Sequence, residues 1–182
     1  MKKKLNSMRI LKSFKYAIRG IIYTIRNERN MRVHSVVSLC VIFLSFFFNL
    51  SAEKYCILGL VISFVIVSEV INSSLESLID LCAKDYNSIA KAAKDMAAGA
   101  VLIASITAVV VGAILFSDFQ GYVRLYNFCI RCPWIILPAI VFAVVGYFYV
   151  FLGPTETKNR IKLNFKNIIN KLNIKKFNGR SN

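Results

Sequence analysis

Apolar positions along this chain gather into four long runs separated by short polar breaks. Val33 to Ala52 is twenty residues without Lys, Arg, Asp or Glu. A second run opens at Cys56, a third covers Met96 to Phe116, and a fourth covers Pro133 to Gly153. About 20 apolar residues cross a bilayer as a helix, so the pattern predicts spans at about 33–52, 56–80, 96–116 and 133–153. Residues 5–27 follow a different rule. Leu11, Phe14, Ile18, Ile21, Ile22 and Ile25 recur on one helical face, and Lys12, Lys15, Arg19 and Arg26 lie beside them. A basic helix with one apolar stripe suits the membrane surface. The predicted class is an all-α integral membrane protein: an amphipathic surface helix, three spans, and a fourth C-terminal transmembrane helix.

The polar breaks are a tight turn at 51–55, a polar connection at 81–95 and a second at 117–132. Ala97, Ala98, Gly99 and Ala100 open the third span with small residues that let helices approach closely. His34, at the start of the first span, reads as a hydrogen-bonding cap rather than a ligand.

The second span breaks its own pattern. Glu69, Asn72, Glu76 and Asp80 continue directly from the apolar run. At 100° per residue they share one narrow stripe. A carboxylate at the centre of a lipid-facing helix costs roughly 2.5–3.5 kcal/mol on insertion scales, so several on one face point to function. Counted from Cys56, Glu69 lies roughly 20 Å along its span at 1.5 Å per residue. That is within a hydrocarbon layer of about 30 Å. Glu76 then falls near the boundary and Asp80 just beyond it. One face would carry an acid at lipid depth and another at water depth.

Charge fixes the orientation. Of 182 residues, 57% are hydrophobic and the net charge is +15. Residues 1–32 carry ten Lys or Arg against one acid, Glu28, and residues 155–182 carry eight against Glu156. Basic ends of this kind occur in nucleic-acid binders. On a membrane chain they follow the positive-inside rule and attract anionic lipid headgroups, so no nucleic-acid partner is expected. Both termini are assigned to the cytoplasm of a multi-pass cell-membrane protein, with a basic tail that Leu163, Ile168, Ile169, Leu172 and Ile174 could fold into a surface helix. The N-terminus lacks the early apolar segment and cleavage site of a signal peptide.

The chemistry left to this chain is that of its acids. Phosphate-loop, H-E-x-x-H and G-x-S-x-G patterns do not occur. Cys129 and Cys132 form a lone C-x-x-C far from the single histidine, short of a four-ligand zinc set. Carboxylates with a nearby amide suit magnesium, which binds through one or two carboxylates and phosphate oxygens. Glu28 lies just before the first span, at the cytoplasmic level of Glu76. An ion pair with Arg26, Arg29 or Arg32 is its alternative role. A channel or assembly protein, or a proton-relaying transporter subunit, are the competing classes. The first gives no reason for the depth pairing of Glu69 and Glu76 with Glu28, and four spans without an inverted repeat argue against the second.

Four ordered motifs carry a resemblance. They are Phe14-Lys15-Tyr16-Ala17 with Gly20, Glu28-Arg29-Asn30-Met31-Arg32-Val33-His34, Glu69-x-x-Asn72-x-x-x-Glu76-x-x-x-Asp80, and Ala90 to Val101. Over residues about 9–116 the chain resembles the small bacterial diacylglycerol kinase/undecaprenol kinase family. The resemblance implies a membrane lipid kinase domain over 1–118. It implies a homotrimer with sites at subunit interfaces, and transfer of the ATP γ-phosphoryl group to a lipid alcohol. By motif match, Glu69 resembles the general base, and Glu28 and Glu76 the Mg2+ ligands. Asn72 and Asp80 fall at supporting positions, and Lys94 and Asp95 match nucleotide-binding positions. Asp85, Tyr86 and Asn87 fall in the matching loop, and Arg9 and Tyr16 align with nucleotide contacts. The wording of the second and fourth motifs is closer to the undecaprenol branch, with diacylglycerol as the alternative acceptor. Residues 119–182, with the fourth span and the basic tail, depart from the family pattern.

Overall fold

The computed structural model describes residues 2–83, 85–135 and 137–153, with side chains from residue 10 onward. Among these residues the chain is all helical. α1 covers Lys2–Asn27, α2 Arg29–Ser45, α3 Ala52–Cys82, α4 Ser88–Leu115 and α5 Phe119–Arg131. A single 3-10 turn, Pro133–Ile135, leads into α6 over residues 137–153. Three helical stretches are long and apolar enough to cross a membrane: Ala52–Cys82, Ser88–Leu115 and Pro133–Gly153. The tail from residue 154 and its expected surface helix lie outside the described residues, as does Lys84.

The first expected span, 33–52, is not one helix. α2 starts earlier, at Arg29, and stops at Ser45, so its 17 residues make about 26 Å. Ser45 is fully buried and its hydroxyl donates to Ile42 O at 2.6 Å. A hydrogen-bonded turn over 46–49 follows, and Asn49 reverses the chain at φ 45°. The expected turn at 51–55 therefore comes earlier. Glu53, Lys54 and Tyr55 sit in the first turn of α3, where the Tyr55 hydroxyl donates back to Ser45 O. No charged residue interrupts 33–52, and the helix ends where Phe48 turns into the core and Asn49 takes a left-handed backbone.

The two polar connections also contain more helix than expected. Among the described residues the 81–95 segment leaves the helix only at Ala83 and over 85–87. Asn87 caps α4, its side-chain oxygen accepting from the Ile89 and Ala90 amides at 2.8 and 3.2 Å. The 117–132 segment is the amphipathic helix α5, capped by Asp118, whose carboxylate accepts from the Gln120 amide at 3.0 Å. Arg124 ties α5 to the turn after α2 by donating to Phe47 O at 2.6 Å, and it pairs with Asp118 at 3.1 Å.

The most extensive packing is between α3 and α4, with α2 laid against α3. One end of the bundle is sealed by Phe48, Leu58, Leu115 and Phe116. The Phe48 ring stands edge-on to Phe116 at 5.0 Å and to Tyr122 of α5 at 4.9 Å. Gly121 lies directly beneath that ring, where a Cβ would overlap it. The opposite end is where α1 meets α2 and where α3 runs out into polar residues. α3 has 31 residues, about 46 Å at 1.5 Å each. It outruns a hydrocarbon layer of about 30 Å, which leaves its carboxylate-bearing end free to reach the α1–α2 joint.

Candidate active site

The site grows from the acidic stripe of α3. Glu69 is 1% exposed, Asn72 7% and Ser73 3%. Glu76 is half-buried and Asp80 exposed, so burial falls along the stripe toward the end of the helix. The Asn72 side-chain amide donates to Glu76 Oε1 at 2.9 Å. Asn72 Oδ1 and Glu69 Oε2 are both buried without a hydrogen-bond partner. An unmet buried polar atom costs about 1–3 kcal/mol, and more for a charged one. Two such oxygens, one turn apart, are buried acceptors that no group among the described residues satisfies.

Glu28 reaches this stripe from the other side. It is the single extended residue between α1 and α2, at φ −98° and ψ 124°. As the residue preceding α2 it makes no capping hydrogen bond with its side chain. Its carboxylate instead accepts from the Ser73 hydroxyl at 3.5 Å. The expected alternative, a Glu28 ion pair with Arg26, Arg29 or Arg32, is absent among the described residues. The α1–α2 joint thus sets the Glu28 carboxylate against the α3 stripe through Ser73, beside the Asn72–Glu76 pair.

Ser73 is the residue that sequence reasoning missed. Four positions after Glu69 it lies on the same helical face, and this spacing was the available signal. Its hydroxyl is what bridges the α3 stripe to Glu28.

The residues expected to meet a nucleotide lie farther along the polar end. The Lys94 ammonium pairs with Asp80, and both groups stay partly open to solvent. Asp95, Asp85 and Tyr86 are exposed, Tyr86 at 85%. Asn87 spends its side-chain oxygen on the α4 cap. Tyr16 is exposed on α1, and Arg9 lies in α1 with its side chain outside the described set. The structure joins Lys94 to the stripe through Asp80. It does not bring Tyr16, Asp85, Tyr86 or Asp95 to the carboxylates by any hydrogen bond or ion pair among the described residues.

The donor set fits a magnesium ion in kind. Glu28 and Glu76 offer carboxylate oxygens, and Asn72 Oδ1 is an unclaimed amide oxygen beside them. No group of three acidic or Cys/His ligands is closed around a point among the described residues. Magnesium is commonly held by one or two carboxylates, with phosphate oxygens and waters completing its shell.

The model of the prokaryotic diacylglycerol kinase family matches residues 15–116, more than half of the chain. The chain belongs to this family. Within the diacylglycerol kinase family it is 41% identical over 107 residues to a diacylglycerol kinase of Synechocystis, covering 58% of this chain and 61% of that one. It is 36% identical over 108 residues to an undecaprenol kinase of Bacillus subtilis, covering 59% and 88%. To a diacylglycerol kinase of Escherichia coli K12 it is 31% identical over 113 residues, covering 62% and 93%. Family and relatives indicate a lipid kinase, with ATP as the phosphate donor of such a kinase and a membrane as its setting. The matched region ends at Phe116, so α5 and α6 lie beyond it.

Proposed function

We propose that this protein transfers the γ-phosphoryl group of ATP to the hydroxyl of a membrane lipid alcohol, undecaprenol, in a magnesium-dependent reaction. The observation that carries the reading is Glu69: a fully buried carboxylate with one oxygen unclaimed, on a helix long and apolar enough to span. A base in that position meets an acceptor that lives among acyl chains. Glu69 takes the hydroxyl proton, the alcohol oxygen bonds to the γ-phosphorus, and the bond to the ADP oxygen breaks. Glu28 and Glu76 would hold the magnesium, which when bound neutralises charge on the triphosphate. Asn72 orients Glu76, and Ser73 orients Glu28. Lys94, steadied by Asp80, receives phosphate oxygens, and Asp95, with the 85–87 loop, Arg9 and Tyr16, flanks the nucleotide.

The working unit is a homotrimer in the cell membrane, with the basic N-terminus and tail cytoplasmic and in contact with anionic headgroups. α1 supports the surface assignment, since Ile10, Leu11, Phe14, Ile18 and Ile21 are all exposed on the single chain. A bilayer surface would cover that face. Counting α2 as a short span gives four crossings and leaves α5 on the outer face. The two unclaimed oxygens of Glu69 and Asn72 support a site completed by substrate and by a neighbouring subunit.

Relatives carry both the undecaprenol and the diacylglycerol name. The wording of Glu28–Arg32 and Ala92–Gly99 favours undecaprenol. Membranes containing the protein, incubated with labelled ATP, magnesium and one lipid alcohol at a time, then extracted into organic solvent, test both questions. Label in the undecaprenol extract supports the reading. Label in the diacylglycerol extract alone reassigns the acceptor, and label in neither ends the kinase proposal.

A further inference from the structure

Arg32 is a buried arginine, 7% exposed, that has no carboxylate partner among the described residues. Its guanidinium is spent on backbone carbonyls. Nη1 donates to Ile25 O at 3.4 Å and to Arg26 O at 3.0 Å, in the last turn of α1. Nε donates to Val150 O at 3.2 Å, near the end of α6. All three acceptors belong to helix C-termini, where carbonyls lack intrahelical partners and the dipole is negative. One cation therefore closes two helix ends at once, and the fork geometry of arginine suits it to this.

The helix that supplies Val150 is held along α2 by other contacts. The guanidinium of Arg29 lies over the Phe151 ring at 5.8 Å. A Cβ at Gly146 would stand 3.6 Å from Val36. Met31, 2% exposed, and Thr24, 4%, are buried at the same joint. Arg32 comes one helical turn after Glu28, the sole extended residue in that joint. Whatever fixes the angle between α1 and α2 therefore fixes where the Glu28 carboxylate lies relative to Ser73.

We propose that Arg32 and the C-terminal end of α6 form a clamp on the α1–α2 joint, which positions Glu28 for the metal side of the reaction. Arg32 is a positioning residue, acting through Glu28. α6 lies beyond the region matched by the family model, so half of the clamp is an addition of this chain. The inference rests on the proposed role of Glu28.

The test uses the full chain in lipid nanodiscs, as wild type, Arg32→Gln and Gly146→Leu. A Cβ at 146 already reaches contact distance of Val36, so the further carbons of leucine are expected to press α6 away from α2 without touching the site. Two quantities are read: amide hydrogen exchange over residues 22–32, and the magnesium concentration that half-saturates lipid phosphorylation. Both variants are expected to exchange faster over 22–32 while α3 and α4 stay protected. For Arg32→Gln half-saturation rises about tenfold or more, the usual scale for a group that orients a metal ligand. Turnover at saturating magnesium stays near the wild-type rate. Wild-type exchange at the joint in both variants overturns the clamp, and faster exchange with unchanged magnesium dependence overturns its positioning role. Should Arg32→Gln fail to fold, Gly146→Leu decides alone. A wild-type protein that phosphorylates no lipid would end the kinase reading, while the exchange data would still decide whether the clamp exists.

Discussion

Asn72 donates its side-chain amide to Glu76 across one turn of α3, at 2.9 Å, and keeps its own carbonyl oxygen buried and unclaimed. One end of this amide thus holds a carboxylate, and in the proposed function the other takes a ligand. Replacing Asn72 by leucine removes both functions with little change in volume. The expected result is a magnesium requirement raised about 10–100-fold, the range for groups that orient metal ligands. Glu76→Gln and Glu28→Gln should move it in the same direction. A magnesium titration that leaves all three variants at the wild-type midpoint would count against these assignments.

Glu69→Gln keeps the shape of the buried group and removes its capacity to accept a proton. ATP binding should survive, and turnover should fall by about 10²–10⁴, the span usual for loss of a general base. Equilibrium nucleotide binding measured beside the phosphorylation rate separates the two effects. Near-wild-type lipid phosphorylation by the glutamine variant would remove Glu69 from the chemistry.

Lys94 and Asp80 form an ion pair with both side chains partly open to water. Exposed pairs contribute about 0.2–1 kcal/mol, so Lys94→Ala should hardly change thermal unfolding. A hydrogen bond to a charged group is worth about 1.5–3 kcal/mol. If Lys94 holds phosphate, half-saturation by ATP should rise about 10–100-fold. The reverse pattern, a large loss of stability with unchanged ATP half-saturation, would make the residue structural.

Gly121 lies against the Phe48 ring with no room for a side chain. Gly121→Ala should force the ring or α5 aside at a cost of about 1–3 kcal/mol, as overpacking does. Phe48 also seals the bundle against Phe116, so the loss should show as a lower unfolding temperature in detergent micelles. The site lies at the other end of α3, and the folded fraction should phosphorylate lipid at its normal rate. An unfolding temperature equal to wild type would mean that α5 does not hold this end.

Much of the candidate site's arrangement is legible in the sequence. Glu69, Asn72, Glu76 and Asp80 share a face because helical periodicity is a local property, and acids within an apolar run stand out against the cost of placing them there. The same logic identified the long apolar helices of the second, third and fourth runs. Ser73 was readable from its spacing, but serine is too common in helices to be noticed without its partner.

What hydropathy could not supply is where a helix stops when composition stays the same. The run 33–52 carries no Lys, Arg, Asp or Glu, yet α2 ends at Ser45, where Phe48 turns in to meet Phe116 and Tyr122 and Asn49 takes a left-handed backbone. The 117–132 segment reads as a polar connection because Asp118, Gln120, Arg124, Asn127 and Arg131 interrupt its apolar positions. Its helix is held by the Asp118 cap and by Arg124 on Phe47 O.

By itself, then, the chain's order of residues determined the membrane class, the acidic stripe and the family. Each follows from periodicity, apolar length or motif, which are properties of neighbours in sequence. Tertiary structure alone decided that Glu28 faces Ser73 rather than an arginine, and that Arg32 binds the ends of two helices. Such pairings depend on which buried donors and acceptors are left unmet after the helices pack, and that account closes only in three dimensions.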